Sequence, residues 1–263
     1  MPSSSASTTE ARPGLRERLL SGELLVGTSL NMGSALAAEI CGLAGFDWVF
    51  IDLEHGSATE ADLLAQLQAL SHTGAAPLVR VEANERPRFA KALDFGAEGV
   101  IVPRVNTAEE ARRAVASLRY APEGERGVAT MNRAAGFGAR GREMVETFNQ
   151  RGVGVVQIES GQAVANVAEI AAVEGVDCLF VGPTDLTHSL GIFLQMDHPK
   201  YGAALEAVRQ AAADAGKPTG VLVRTVQEVE RYRALGFTLI GVGSDSAFLA
   251  DAARAVAQAA RPQ

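Results

Sequence analysis

Cysteine, lysine and tryptophan are scarce in this 263-residue chain, at two, three and one. Cys41 and Cys178 each sit among apolar residues and read as buried free thiols, which fits a reducing cytoplasm. No Cys/His spacing resembles a zinc site. No apolar run approaches the ~20 residues of a membrane helix, so no membrane partner is expected. Positive charge is not in excess: the net charge is −7, which argues against a nucleic-acid surface. The first residues, Met1 to Gly14, are rich in Ser, Thr and Ala, lack an apolar segment and carry Glu10 and Arg12. They read as a flexible tail rather than a signal peptide. The sequence thus divides into a flexible tail at 1–20 and one domain at 21–263.

What is present is a repeating pattern. Apolar residues make up 47% of the chain and glycines number 27, a balance suited to buried strands packed on Ala-rich helices with short steps between them. Eight strand-like runs are predicted: 24–30, 48–53, 77–81, 99–105, 154–158, 178–182, 219–223 and 238–242. Helix-like stretches at 34–44, 59–71, 87–95, 107–118, 161–173, 201–215, 225–235 and 246–260 alternate with them. Ser34, Thr59, Thr107, Thr225 and Ser246 can each cap a helix start. Eight evenly spaced βα pairs favour a closed parallel (β/α)₈ TIM barrel in the α/β class over a doubly wound open sheet, and the length is near the ~250 residues typical of one such barrel. Two insertions interrupt the pattern, 119–150 and 186–200. The second follows a strand directly and is expected on the C-terminal face, where loops of this fold shape active sites.

Chemistry-bearing residues gather where strands end. Trp48-Val-Phe-Ile-Asp-Leu-Glu-His55 and Val155-Val-Gln-Ile-Glu159 are apolar runs that stop at acids or a histidine, as does Leu179-Phe-Val-Gly-Pro-Thr-Asp185. Carboxylates at such positions are costly to desolvate unless a cation, a basic partner or water compensates. Glu159 and Asp185 therefore suit a hard divalent cation, or alternatively cap the following helix or pair with an arginine. His55 reads as a base, a ligand or a hydrogen-bonded structural residue. Alternation sends Asp52 and Glu54 to one face and Leu53 and His55 to the other. Arg80, closing Pro77-Leu-Val-Arg80, calls for an anion: a substrate carboxylate or a structural salt bridge. His188 and His198 are expected to be exposed, and Arg126 and Arg133 to anchor loops or join subunits.

Taken together and in order, these segments resemble the HpcH/HpaI family of class II, pyruvate-dependent aldolases, whose type activity is 4-hydroxy-2-oxoheptanedioate aldolase. The similarity also runs through Leu93-Asp-Phe-Gly-Ala97, Arg119-Tyr-Ala-Pro-Glu-Gly-Glu-Arg-Gly127 and Asp197-His-Pro199. The resemblance implies a lyase that cleaves a 4-hydroxy-2-oxo acid reversibly to pyruvate and an aldehyde through an enolate, with Mg²⁺, Mn²⁺ or Co²⁺ as cofactor. It implies Glu159 and Asp185 as metal ligands and Gln157, the Thr184 backbone and Asp185 at the oxo acid. Arg80 is implied at the enolate oxygen and Leu222 as a limit to the aldehyde pocket. His55 is implied as the base, aided by Asp94, with Glu54 and Asp52 behind them. Asp94 precedes the fourth strand, the face opposite the site in a regular barrel, so a displaced helix or a neighbouring subunit must supply it. The resemblance further implies a homohexamer, a trimer of dimers, exchanging the C-terminal helix. None of Lys91, Lys200 and Lys217 falls in a core strand, consistent with chemistry that needs no Schiff base. Two other readings stay open: a related decarboxylase, C–C synthase or citrate-lyase-β-like enzyme on a CoA thioester, and a catalytically silent barrel that binds a partner.

Overall fold

A computed structural model describes residues 13–261. Its strands are β1 Leu25–Leu30, β2 Trp48–Asp52, β3 Ala76–Arg80, β4 Gly99–Val102, β5 Val153–Ile158, β6 Cys178–Val181, β7 Thr219–Val223 and β8 Leu239–Ser244. All pair in parallel with their neighbours in sequence order, and β8 returns to β1, closing the (β/α)₈ TIM barrel. The helices are α1 Leu15–Leu20, α2 Ala35–Leu43, α3 Glu60–Leu70, α4 Arg86–Asp94, α5 Ala108–Leu118, α6 Gly141–Arg151, α7 Gly161–Ala165, α8 Val167–Ala171, α9 Pro183–Ser189, α10 Pro199–Asp214, α11 Val226–Ala234 and α12 Asp245–Ala259.

The helix starts follow the sequence at most positions. Thr59, Thr107 and Thr225 form capping boxes with Asp62, Glu110 and Glu228, and Ser34 accepts from the Ala37 N–H. The last helix departs from expectation: Ser244, not Ser246, is the cap, accepting from the Ala247 N–H. The stretch 161–173 is two short helices instead of one. The break falls at Asn166, whose side-chain amide is drawn to the Asn106 carbonyl at 2.8 Å.

Strand residues alternate between two cores. Trp48, Phe50, Leu78, Ile101, Val155, Phe180 and Leu239 fill the barrel, while their neighbours in sequence pack outward on the helices. Large rings inside require small residues beside them. A Cβ on Gly27 would lie 2.4 Å from the Trp48 ring, and one on Gly220 2.5 Å from the Phe180 ring. The N-terminal mouth is closed by α1, which inserts the buried Leu15 and Leu19. Residues 15–20 are therefore part of the barrel and not of the tail; residues 1–12 lie outside the described residues.

The first insertion belongs to the N-terminal face. Arg119, fully buried, donates to the Asn149 and Gly152 carbonyls and to Asp177 at 3.0 Å. Arg126 is clamped between the Tyr120 and Phe148 rings, 4.5 and 4.3 Å from their centroids. Arg133 donates to the Phe95 and Leu67 carbonyls, so Arg126 and Arg133 both anchor this segment. His188 is exposed as expected, whereas His198 is half-buried and caps α10.

Candidate active site

The inward parity of each strand decides what reaches the C-terminal mouth. Counting by two from Trp48 and Phe50 brings Asp52 inward; Leu78 brings Arg80; Val155 brings Gln157 and then Glu159. The pairing register sets Asp52 directly beside Arg80. Arg80 grips it with two parallel bonds, Nε to Oδ1 at 2.8 Å and Nη2 to Oδ2 at 2.6 Å. Its remaining nitrogen, Nη1, lies 3.4 Å from Glu54 Oε2, and the guanidinium carbon is 5.6 Å from the Phe50 ring centroid. Burial alone would lower the Arg80 pKa, but the hydrogen bonds and charge of Asp52, aided by Glu54, hold it above the ordinary value.

Beyond Asp52 the chain leaves the strand in a turn: Asp52 Oδ1 accepts from the backbone N–H groups of both Glu54 and His55. This turn overrides the simple alternation, so that Asp52 and His55 line the same cavity. The His55 side chain is 64% exposed, with Nε2 3.8 Å from Glu54 Oε2.

Glu159 is buried and held by two groups. Its Oε1 accepts from the Arg104 N–H at 2.6 Å and its Oε2 from Gln157 Nε2 at 3.2 Å. Arg104 presents that N–H from a left-handed conformation at φ 55°, which costs a non-glycine residue energy and is kept here at the site. A Cβ at Gly182 would meet Glu159 Oε2 at 2.8 Å, so this glycine keeps the carboxylate's space open. Burial, and after it the charges of Glu54 and Asp185, push the Glu159 pKa up to about 7 despite the Arg104 N–H. Burial likewise raises that of Glu54, whose Oε2 accepts no hydrogen bond.

Asp185 stands in the first turn of α9 and lines the cavity with Thr184. Pro183 has no N–H, so the Thr184 amide is the first that α9 offers to a ligand. Gln157 and Leu222 line the same space, which measures about 670 Å³, whereas none of the three lysines does. The Glu54 oxygen that accepts no hydrogen bond, the buried Gln157 Oε1 without a hydrogen-bond partner and the raised Glu159 pKa suit a bound divalent cation. Among the described residues no three His, Cys, Asp or Glu side chains converge into a ready-made metal cage.

Asp94 does not line the cavity within its own chain. It ends the regular helix α4 on the barrel's N-terminal face, where its carboxylate accepts from Arg126 Nη2 at 3.0 Å and its carbonyl from the Ala134 N–H. Within one chain it is not brought to His55. Conversely, sequence reasoning missed Ser29, Asn31, Arg224 and Arg254, all of which line the cavity. Strand parity was the available signal for Arg224, which follows the inward Leu222 by two positions; Arg254 comes from α12 and had none.

This chain is similar to the 5-keto-4-deoxy-D-glucarate aldolase of Shigella boydii, with 41% identity over 223 residues covering 85% of this chain and 86% of that protein. It is also similar to the hydroxypyruvate/pyruvate aldolase of Paraburkholderia phytofirmans, with 39% identity over 253 residues covering 94% and 97%. A solved structure of an HpcH/HpaI aldolase/citrate lyase family protein from Burkholderia cenocepacia superposes with a TM-score of 0.90 at 40% identity, over 94% of this chain and 99% of that one. The family profile itself spans residues 28–252, and the chain belongs to the HpcH/HpaI aldolase/citrate lyase family.

Proposed function

We propose that this protein is a divalent-metal-dependent aldolase that cleaves a 4-hydroxy-2-oxo acid reversibly to pyruvate and an aldehyde. The observation that carries the reading is the buried Glu159, which feels the charges of Glu54 and Asp185, beside an arginine fixed by Asp52. The relatives' names point the same way, since one acts on 5-keto-4-deoxy-D-glucarate and another on hydroxypyruvate and pyruvate.

A Mg²⁺, Mn²⁺ or Co²⁺ ion held by Glu159 and Asp185 would supply Lewis-acid polarisation of the 2-oxo and carboxylate oxygens. Gln157 and the Thr184 amide orient the oxo acid. Arg80, held rigid by Asp52, faces the enolate oxygen as charge develops there, with little reorganisation needed. His55 takes the proton from the 4-hydroxyl. The C3–C4 bond breaks, its electron pair passes into the enolate, and the aldehyde leaves. Protonation at C3 then gives pyruvate. Leu222 bounds the space for the departing aldehyde.

Asp94 enters this scheme only from a second copy of the chain. Exposed Phe248, Leu249 and Val256 on α12, whose only buried residue is Asp245, favour a homo-oligomer that shares this helix, a hexamer in the family's pattern. Two buried free thiols suit a cytoplasmic setting. The arginine-rich segment after α5 is anchored on the face opposite the cavity and so offers no charge to a CoA thioester bound there. The test is pyruvate release from a panel of 4-hydroxy-2-oxo acids, read with lactate dehydrogenase; no release from any of them contradicts the proposal.

A further inference from the structure

The floor of the catalytic cavity is apolar, made by Phe50, Ile101 and Phe180. Two polar side chains interrupt it. One is Gln157 on β5, which donates to Glu159. The other is Ser29, whose place follows from strand parity: on β1, Leu25 and Gly27 point into the barrel, and so does Ser29. It pairs in register with Phe50 and is only 3% exposed, yet its hydroxyl makes no hydrogen bond to any described residue. Thr28, its outward neighbour, does bond, donating to the Val242 carbonyl at 2.8 Å. A buried hydroxyl that borders a cavity and lacks a protein partner is costly unless the contents of the cavity supply one.

The wall around Ser29 is small and polar. β8 carries one extra residue here: Gly27 pairs with Gly241 but Ser29 with Ser244, and Gly243 between them takes a left-handed φ of 61°. Gly243, Ser244 and Asn31 line the cavity beside Ser29. The Asn31 backbone is engaged, its N–H with Asp245 and its carbonyl with Ser57, while its side-chain amide makes no hydrogen bond to the described residues. The fixed charge behind this wall is negative. Asp245, 5% exposed, accepts from the Asn31 and Ser246 N–H groups at 2.9 and 2.8 Å. Arg254 is neutralised by Asp251 at 2.6 Å, and Arg224 is exposed on the β7 side. An uncharged group bearing a hydroxyl therefore suits this wall better than a carboxylate. In a closed ring of eight strands β1 lies across from β5, the strand that leads to Glu159, so Ser29 faces the part of a bound molecule beyond the oxo acid.

We propose that Ser29, with Asn31 beside it, forms a hydroxyl-reading subsite at the seam of β8 and β1, so that the enzyme prefers uncharged hydroxyaldehydes as aldol partners. This rests on the aldolase reading above and adds to it a specificity residue and the class of aldehyde. The Ser29 hydroxyl pairs with a hydroxyl on the carbon next to the aldehyde. An aldehyde without that hydroxyl leaves Ser29 buried and unpaired. Because the contact lies away from the bonds that change, it acts mainly on binding.

The experiment is aldol addition of pyruvate, with Mg²⁺ present, to glycolaldehyde, to its near-isostere propanal and to the acid succinic semialdehyde. It uses the wild type, Ser29→Ala and Ser29→Cys, the second keeping the size of the side chain with a weaker donor. By kcat/KM the wild type should favour glycolaldehyde over propanal by about tenfold or more, and over succinic semialdehyde as well. Both variants should lower the ratio of glycolaldehyde to propanal by about three- to tenfold, mostly through the KM for glycolaldehyde. A wild type that favours propanal or succinic semialdehyde overturns the proposal, as do variants that leave the ratio unchanged. Exchange of the pyruvate methyl protons separates the two readings. If those protons exchange but none of the three aldehydes is taken up, the subsite alone is overturned. If neither exchange nor addition occurs, the aldolase reading is overturned and the subsite with it.

Discussion

Asp52 and Arg80 sit side by side at the ends of adjacent strands and share two parallel hydrogen bonds of 2.8 and 2.6 Å. Both are buried, so each neutralises a charge that the other would leave stranded. The pair has two roles that mutation can separate. Arg80→Ala should lower kcat by about 10²–10³ through loss of a preorganised donor. The same change should cost about 3–5 kcal/mol of stability, because it strands the Asp52 carboxylate. The double variant Asp52→Asn/Arg80→Gln should regain much of that stability in urea melts without regaining activity. Recovery of both together would show that Arg80 serves the fold alone.

His55 is a cleaner target because its side chain is 64% exposed. His55→Ala should leave stability within about 0.5 kcal/mol, as for other surface positions. Aldol cleavage should nevertheless fall by about 10²–10⁴, the range for removal of a general base. Enolisation, followed as exchange of pyruvate methyl protons, should be less affected than cleavage. Full cleavage by the alanine variant would remove His55 from the mechanism.

Glu159 predicts how metal binding responds to pH. Burial and the charges of Glu54 and Asp185 raise its pKa to about 7, so below that value the carboxyl is mostly protonated and neutral. A cation must displace that proton, so affinity must rise with pH. Titration calorimetry with Mn²⁺ should show binding tightening by up to about tenfold per pH unit below about pH 7 and levelling above it. Glu159→Gln should bind Mn²⁺ weakly at every pH. Affinity independent of pH between roughly 5 and 8 would place the cation elsewhere.

The barrel interior makes a prediction independent of chemistry. A Cβ at Gly27 would meet the Trp48 ring at 2.4 Å, and Trp48 is fully buried among Phe50 and Phe180. Gly27→Ala should cost about 1–3 kcal/mol by overpacking. Gly216→Ala, where nothing lies within 4 Å but φ is +64°, should cost about 1 kcal/mol through the backbone alone. Equal stability of both variants with the wild type would contradict the described packing.

Much of this was legible in the sequence because a parallel barrel writes its strands as buried apolar runs. Trp48 to Asp52 and Val153 to Ile158 are buried at every position, and their ends carry the acids. The candidate residues His55, Arg80, Glu159 and Asp185 stand out at strand ends from that pattern, whereas Gln157 and Leu222 enter only through resemblance. What the sequence hid was set by tertiary contacts. The side of His55 depends on a turn fastened by Asp52, and the break at Asn166 on a carbonyl about 60 residues away. The helix at Leu15–Leu20 reads as tail in sequence because its apolar residues, Leu15 and Leu19, find their core only across the barrel mouth. Resemblance alone points to Asp94 at the site, while its helix ends on the opposite face of its own chain.

The most direct test of the account is cleavage before and after removal of divalent metal. The protein is stripped with EDTA, dialysed into metal-free buffer, and assayed for pyruvate release from 4-hydroxy-2-oxoheptanedioate, with Mg²⁺ and Mn²⁺ then added back. The account predicts loss of nearly all activity on stripping, restoration by either cation in the wild type, and none in Glu159→Gln or Asp185→Asn. Undiminished cleavage by the stripped protein would contradict it.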